Sequence, residues 1–352
     1  MTWLIYGANG YTGELVAREA VARGHSPILA GRHREKVGAL AAELGLTARV
    51  FPLESPATVA AELYGVKAVL HCAGPFILTA RPMVEACLGT GAHYLDITGE
   101  IGVFERVLAQ GDAARRAGVV LLPGVGFDVV PTDCLAARLA AALPDATELT
   151  LAFFAERGEA SRGTLLTMIE SLPHAGAVRR DGKIVEVPIA FDAREIPFSC
   201  GPRWTMTIPW GDVSTAFHST GIPNIRVYTG TPPGTIRRLK RIRPLLPLAG
   251  WGPVKRLARR WVERKVAGGP GAEVRETSRV YLWGEAKNAK GRMVTATLET
   301  PEGYALTAVA AVRCMEKALA GEVAPGAWTP SRAFGADFVG TLPGVVVGAV
   351  SG

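Results

Sequence analysis

Cysteine is scarce and badly placed for cross-linking. The 352-residue chain has five: Cys72, Cys87, Cys134, Cys200 and Cys314. They are widely spaced, odd in number and include no C-x-x-C pair, which argues against a disulfide framework and a cysteine zinc centre. Five buried, reduced thiols in a cytoplasmic protein are expected instead. No apolar run approaches the ~18 residues of a membrane span. No basic stretch precedes the strand-like Trp3-Leu4-Ile5-Tyr6, so no secretory leader is expected. Glycine (41) and proline (24) follow no collagen-like period, and no internal repeat is visible. Charged residues make up only 20% against 48% apolar, which excludes wholesale disorder and supplies a core. At roughly 100–200 residues per domain, two domains are expected.

Acidic residues are nearly missing from one segment. Between Arg237 and Lys265 stand eleven Lys/Arg and a single acid, Glu263. That segment carries +10 in a chain of net charge +7, so the rest is mildly acidic. Residues 236–247 and 253–266 interleave Leu, Ile, Val and Trp with the cations. In the second run Val254, Leu257, Trp261 and Lys265 recur at three- and four-residue steps, which puts apolar groups on one helical face. Arg256, Arg259, Arg260 and Arg264 fall largely on others. Pro244, Pro247, Gly250, Gly252 and Pro253 forbid one continuous helix. A helix packing its stripe on its own domain, a peripheral contact with an anionic membrane surface, and docking of an acidic partner all fit segment 236–266. No zinc or RNA-binding signature accompanies it, so nucleic acid is not an expected partner. The chain is expected to work as a homodimer.

The first 125 residues alternate two signals. Strand-like runs at 2–6, 26–30, 48–52, 66–72, 93–97 and 119–122 are separated by helix-like runs at 11–23, 33–44, 56–64, 79–90 and 102–117. Several helix-like runs end in glycine, which tolerates the left-handed conformation. This alternation predicts βαβ units and a doubly wound parallel sheet. After Pro131 the rhythm changes. Helices are expected at 132–143, 163–172 and 305–320, and strands at 147–154, 276–286 and 292–300. Asn288-Ala289-Lys290-Gly291 is expected to form a hairpin turn between the last two strands. Residues 180–232 read as short strands and turns, including Ser214–His218. A second α+β domain with a mostly antiparallel sheet follows from this pattern, spanning 127–330 after a first domain of 1–126. A last helix at about 331–342 is expected to return to the first domain.

Gly7-Ala8-Asn9-Gly10-Tyr11-Thr12-Gly13 follows the first strand directly and opens the first helix. Glycines there permit a sharp turn, close approach of a pyrophosphate and tight helix–strand packing. The free N–H groups and the positive helix end favour phosphate. The spacing is G-x-x-G-x-x-G rather than G-x-G-x-x-G. The second strand ends Gly31-Arg32-His33-Arg34, with no acid before Glu35. An acid would bind a ribose 2′-hydroxyl; Arg32 and Arg34 suit a 2′-phosphate. The expected cofactor is therefore NADP(H).

Three further segments lie at the ends of strands four to six. They are His71-Cys72-Ala73-Gly74-Pro75-Phe76, His93-Tyr94-Leu95-Asp96-Ile97-Thr98-Gly99-Glu100, and Pro123-Gly124-Val125-Gly126-Phe127-Asp128 with Pro131-Thr132-Asp133. Together with the glycine turn and Ala30-Gly31-Arg32, they resemble the saccharopine dehydrogenase-like oxidoreductases, a family that includes the trans-acting enoyl reductases. The likeness covers about the first 135 residues. It continues weakly through Ser161-Arg162-Gly163-Thr164, where the family tends to have Ser-Gly-Gly-Thr and Arg162 departs. The resemblance implies a Rossmann-type NADP domain, a second α/β domain and a final helix returning to the first.

Ligands of open parallel sheets bind beyond the carboxyl ends of the strands. Ala73, Gly74, Pro75, Thr98 and Gly126 join the glycine turn there as candidate cofactor contacts. Tyr94, Asp96, Glu100 and Asp128 are candidate proton-transfer groups, Asp96 and Glu100 foremost. Thr98 and Asp128 also read as helix caps, and His218 as an ordinary histidine. The expectation is an oxidoreductase moving hydride to or from a C=O, C=N or conjugated C=C. Phe198, Trp204, Met206, Trp210, Phe217 and Tyr228 suggest an acyl or lipid-like substrate, or else a sheet core. The alternative function is a non-catalytic dinucleotide-binding scaffold or sensor. No metal site is expected.

Overall fold

A computed structural model describes residues 2–171, 176–245, 251–266 and 268–352. The chain divides into two compact units, 1–130 with 304–334 and 131–303 with 335–352.

The first unit is a seven-stranded, all-parallel sheet. Its strands are β1 (Trp3–Tyr6), β2 (Ile28–Gly31), β3 (Ala48–Val50), β4 (Ala68–His71), β5 (His93–Asp96) and β6 (Val120–Leu122). A two-residue strand, Gly326–Ala327, pairs with β6 and sets the order 326–327, β6, β5, β4, β1, β2, β3. Apart from that added edge, the order is the Rossmann one. Leu4, Ile5, Leu29, Leu70, Leu95 and Leu121 are fully buried, as expected of strands covered on both faces. Helices α1 (Tyr11–Ala22), α2 (Arg34–Leu44), α3 (Pro56–Glu62), α4 (Phe76–Thr90), α5 (Ile101–Leu108) and α6 (Gly111–Ala117) connect them. The single helix expected at 102–117 is thus two, broken before Gly111, a poor helix former.

The domain limits differ from the expected ones. The helix Gly303–Leu319 returns to the first unit from Tyr304 onward. There Glu316 accepts both guanidinium N–H groups of Arg23, at 2.8 and 2.9 Å, and lies 2.8 Å from His25. These hydrogen bonds outweigh burial and hold the Glu316 carboxyl below its usual range. The return is therefore made by residues 304–334, whereas 335–352 belong to the second unit. The expected final helix is only Pro330–Phe334, with a separate 3-10 turn at Phe338–Thr341.

The second unit begins with α7 (Val130–Ala142), which leaves the first unit at its first residue. Its strands are β7 (Ala146–Ala155), β8 (Ala177–Arg180), β9 (Lys183–Glu186), β10 (Ala193–Phe198), β11 (Gly201–Thr207), β12 (Asn224–Gly230), β13 (Arg279–Asn288) and β14 (Met293–Pro301). The main path runs β10, β11, β12, β7, β13, β14, then an edge pair at Val346–Val347. Only β12–β7 is parallel, so the sheet is mostly antiparallel as expected. The β13–β14 turn is tied by Asn288, whose side chain accepts from the N–H groups of Lys290 and Arg292, and Gly291 takes φ +84°. The longer helices after α7 are α8 (Arg162–Ser171), α9 (Asp212–Thr220), α10 (Pro233–Ile242) and α11 (Gly252–Lys265); a short helix, Ala272–Thr277, occupies the start of the strand expected at 276–286. The expected helical position 172 lies outside the described residues. Ser214–His218, expected as a strand, lies within α9. The short β-branched run misleads; the helix ends at Gly221, in the left-handed conformation.

All five thiols are free, but Cys72 and Cys200 are only partly buried. Among the described residues no helix is long and apolar enough to cross a membrane, and no acidic, histidine or cysteine group could hold a metal.

Candidate functional site

Three glycines shape the β1–α1 turn by exclusion. Gly7 has φ +82°, and a Cβ there would stand 2.8 Å from both the Cβ and backbone nitrogen of Ala73. A Cβ on Gly13 would stand 2.2 Å from the Gly7 carbonyl oxygen. The first turn of α1 therefore rests directly on the turn. Gly10 is the N-cap residue; its N–H donates to Gly7 O at 2.9 Å and no side chain caps the helix. A Cβ there would meet only Gly7 O, at 3.2 Å. The positive end of α1 thus lacks a built-in side-chain acceptor, the arrangement that suits a phosphate.

The neighbouring parts fit the same guest. A Cβ on Gly31 would lie 2.8 Å from Asn9 Oδ1, so the end of β2 needs glycine to let Asn9 cross it. Arg32 and Arg34 follow, both exposed. Neither makes an ion pair with a carboxylate among the described residues; the Arg32 Nε–H points to His33 Nε2 at 3.2 Å. Two unpaired guanidiniums where an acid would favour NAD are suited to a 2′-phosphate. Tyr11 and Thr12 lie half-buried on the first turn. Tyr304, from the returning helix, packs edge-on against Tyr11, with ring centroids 5.1 Å apart.

Beyond β4, Ala73 abuts the glycine turn, Gly74 is exposed, and the Gly74–Pro75 peptide is cis. His71 is fully buried among Tyr6, Phe76 and Tyr94. Its Nε2 lies 3.0 Å from Thr79 Oγ1, which itself donates to Ala73 O at 2.6 Å. That chain makes Nε2 the protonated nitrogen. Burial pushes the His71 pKa down to about 3, so the ring is neutral.

Three candidate proton-transfer groups are built into the scaffold. The Tyr94 hydroxyl donates to Asp96 Oδ2 at 2.6 Å; the N–H groups of Thr98 and Gly124 donate to Oδ1 at 3.0 and 2.9 Å. Both side chains are fully buried. Burial pushes the Asp96 carboxyl up to about 6 despite these donors, and pushes the Tyr94 hydroxyl well above its usual range. Glu100 accepts the N–H groups of Phe76 and Ile77 at 2.7 and 2.8 Å. It caps α4 from another loop, which is why that helix starts at Phe76 rather than near 79. Thr98 does not cap α5 but accepts the Glu100 N–H at 3.1 Å. Asp96 and Glu100, the foremost sequence candidates, thus organise the strand ends.

Asp128 differs. It is partly exposed, makes no hydrogen bond or ion pair among the described residues, and sits so close to Gly99 that a Cβ there would meet its Oδ2 at 2.6 Å. Desolvation pushes its carboxyl up to about 7. Gly126, just before it, has no room for a side chain because Thr307 lies 2.9 Å from a Cβ there. The Thr307 hydroxyl also accepts the Phe127 N–H at 2.9 Å. Thr307 and Tyr304 stand some 180 residues and more along the chain from these loops, and no spacing rule could have found them.

In the second unit the aromatic residues of 198–232 do not gather. Phe198 and Tyr228 are buried beside Ile196 and Trp283. Trp210 packs on Phe153 at 4.8 Å, and the Arg179 guanidinium stacks over Phe217 at 4.3 Å. Trp204 is 46% exposed. Of this set, Phe198 and Tyr228 belong to the sheet core. Ser161 likewise caps α8, accepting the Thr164 N–H at 3.2 Å.

Residues 3–122 match the family model described as the saccharopine dehydrogenase NADP binding domain. Those residues are similar to the NADP-binding domain of saccharopine dehydrogenases. A mouse saccharopine dehydrogenase-like oxidoreductase is 31% identical over 152 residues, which cover 37% of this chain and 35% of that one. A trans-acting enoyl reductase of Mycobacterium leprae is 33% identical over 138 residues, 37% of this chain and 33% of that one. The chain spans about a third of the length of these relatives. Over the whole chain the fold is that of the apo saccharopine dehydrogenase (L-Glu forming) of Saccharomyces cerevisiae: TM-score 0.65, 12% identity, 99% of this chain and 100% of that one. The glycine turn, Asn9 over Gly31 and the unpaired Arg32 and Arg34 are consistent with NADP(H).

Proposed function

We propose that this chain is an NADP(H)-dependent oxidoreductase acting on a C=O, C=N or conjugated C=C, with an acyl or lipid-like substrate. The observation that carries the reading is the β1–α1 turn, where Gly7 and Gly13 have no room for a side chain and the cap position carries none. When bound, the dinucleotide supplies hydride at the nicotinamide ring. The chain's own residues do the rest. The turn holds the diphosphate, and Arg32 and Arg34 hold the 2′-phosphate. Ala73, Gly74 and Pro75 present little bulk at the next strand end, where Thr98 and Gly126 complete the contacts. Tyr94 and Asp96 keep the β5 and β6 loops in register.

Asp128 is the proton donor in this reading. A carboxyl titrating near 7 is partly protonated at neutral pH and can give its proton to a developing alkoxide, amide or enolate. The substrate class draws on the trans-acting enoyl reductase among the relatives. The test offers NADPH with deuterium on its transferable position together with enoyl thioesters, ketones or imines. Oxidation of NADPH with deuterium appearing in one product class is expected. NADPH binding without oxidation by any class would overturn the enzyme reading and leave a dinucleotide-binding scaffold or sensor.

A further inference from the structure

The basic segment is mounted the opposite way round from an ordinary amphipathic helix. One side of α11 faces its own unit with cations: Lys255 and Arg259 both pair with Glu170 of α8, at 2.5 and 2.8 Å, and Val262 is buried. The apolar stripe lies about a third of a turn away and points outward. Val254 is 40%, Leu257 70% and Trp261 60% exposed, and Trp251 at the N-cap is 64% exposed. These residues span about 15 Å at ~1.5 Å per residue. Packing of the stripe on its own domain, the simplest sequence reading, does not occur among the described residues.

The charges around the stripe are equally unspent. Arg256, Arg260, Arg264 and Lys265 of α11 are exposed and form no ion pair among the described residues. Helix α10 is pinned by buried Ile236, and just beyond it the Arg243 Nε–H donates to Ile189 O at 2.7 Å. It leaves Arg237, Arg238, Lys240 and Arg241 exposed and equally unpaired. The expected positions 246, 247 and 250 lie outside the described residues. Four uncompensated cations on the same helix as an exposed Trp–Val–Leu–Trp stripe, with four more on α10, are complementary to anionic lipid. Indole rings settle at the headgroup boundary while Lys and Arg meet the phosphates. A second copy of the chain would bring like charge against like charge.

We infer that α11 lies in the plane of an anionic phospholipid surface, with Trp251, Leu257 and Trp261 inserted at the headgroup level. The inference is independent of the reaction proposed above.

The experiment is co-sedimentation of the full chain with vesicles of phosphatidylglycerol and phosphatidylcholine, and of phosphatidylcholine alone, at low and ~0.5 M salt. Binding to the anionic vesicles, weakened at least ~10-fold by salt or by neutral lipid, is expected. The double variant Trp251→Ser/Trp261→Ser should bind ~10-fold more weakly or worse, as should Arg256→Gln/Arg260→Gln/Arg264→Gln. All five positions are exposed, and unchanged thermal unfolding would show both variants folded. In the wild type, brominated lipid should quench tryptophan fluorescence, and the double variant should lose that quenching. No pelleting with anionic vesicles at low salt overturns the inference. So does binding that ignores the tryptophans, or tryptophan-dependent self-association without vesicles. Retention on an acidic protein without vesicle binding would assign the surface to such a partner and overturn it too.

Discussion

The Tyr94 hydroxyl donates to Asp96 at 2.6 Å, and both groups are buried. Two side chains that a reading of the strand ends marks for chemistry thereby satisfy one another. Asp96 also takes the Thr98 and Gly124 N–H groups, so one carboxylate joins the loops after β5 and β6.

Asp96→Asn should therefore cost stability before it costs chemistry. An amide NH₂ would face at least one of three donors, and a buried unsatisfied group costs about 1–3 kcal/mol. Tyr94→Phe should cost less, because only one hydrogen bond is lost. Denaturant unfolding of both variants checks this. Loss of turnover in Asp96→Asn with unchanged stability would return the residue to the chemistry.

Asp128 and His71 give stability opposite pH dependences. The folded pKa of Asp128, about 7, exceeds the unfolded ~3.9, so its contribution is full below ~4 and is lost as pH rises through 7. For His71 the folded value, about 3, is below the unfolded ~6.5, so its contribution is present above 6.5 and lost as pH falls toward 3. Asp128→Asn should flatten the decline in unfolding free energy between about pH 4 and pH 7, as measured by urea titration at each pH. The same substitution should lower turnover ~10²-fold and remove the fall in reduction rate above pH 7. An unchanged rate profile would remove Asp128 as the donor.

Much of the first unit was legible because a sheet covered on both faces writes apolar runs such as Leu4-Ile5 and Val69-Leu70 into the sequence. The glycine turn was legible because its sterics admit little else. What could not be read is what distant segments supply. Thr307 closes on Gly126, Tyr304 meets Tyr11, and Gly326–Ala327 extends the sheet from far along the chain. Glu100 looked like a free acid because its partners, the N–H groups of Phe76 and Ile77, exist only once α4 has formed. The faces of α11 were visible as a period, but which face turns inward is decided by Glu170 of another helix.

Gly10 separates binding from folding better than its neighbours. A Cβ at Gly7 or Gly13 meets backbone below 3.0 Å, so substitution there disturbs the fold itself. At Gly10 the nearest atom is 3.2 Å away and the backbone is extended. Gly10→Val should keep near wild-type unfolding while losing NADPH binding, as followed by fluorescence titration. Normal binding would place the phosphates elsewhere.

The central claim is that the β1–α1 turn and Arg32 together select NADP(H). Calorimetric titration of NADPH and NADH into wild type and Arg32→Ala tests it most directly. A charge-assisted phosphate contact is worth about 1.5–3 kcal/mol. The wild type should therefore bind NADPH at least ~10-fold more tightly than NADH, and Arg32→Ala should lose that margin while NADH affinity stays unchanged. Equal affinities in the wild type, or a preference that survives the substitution, would contradict the account.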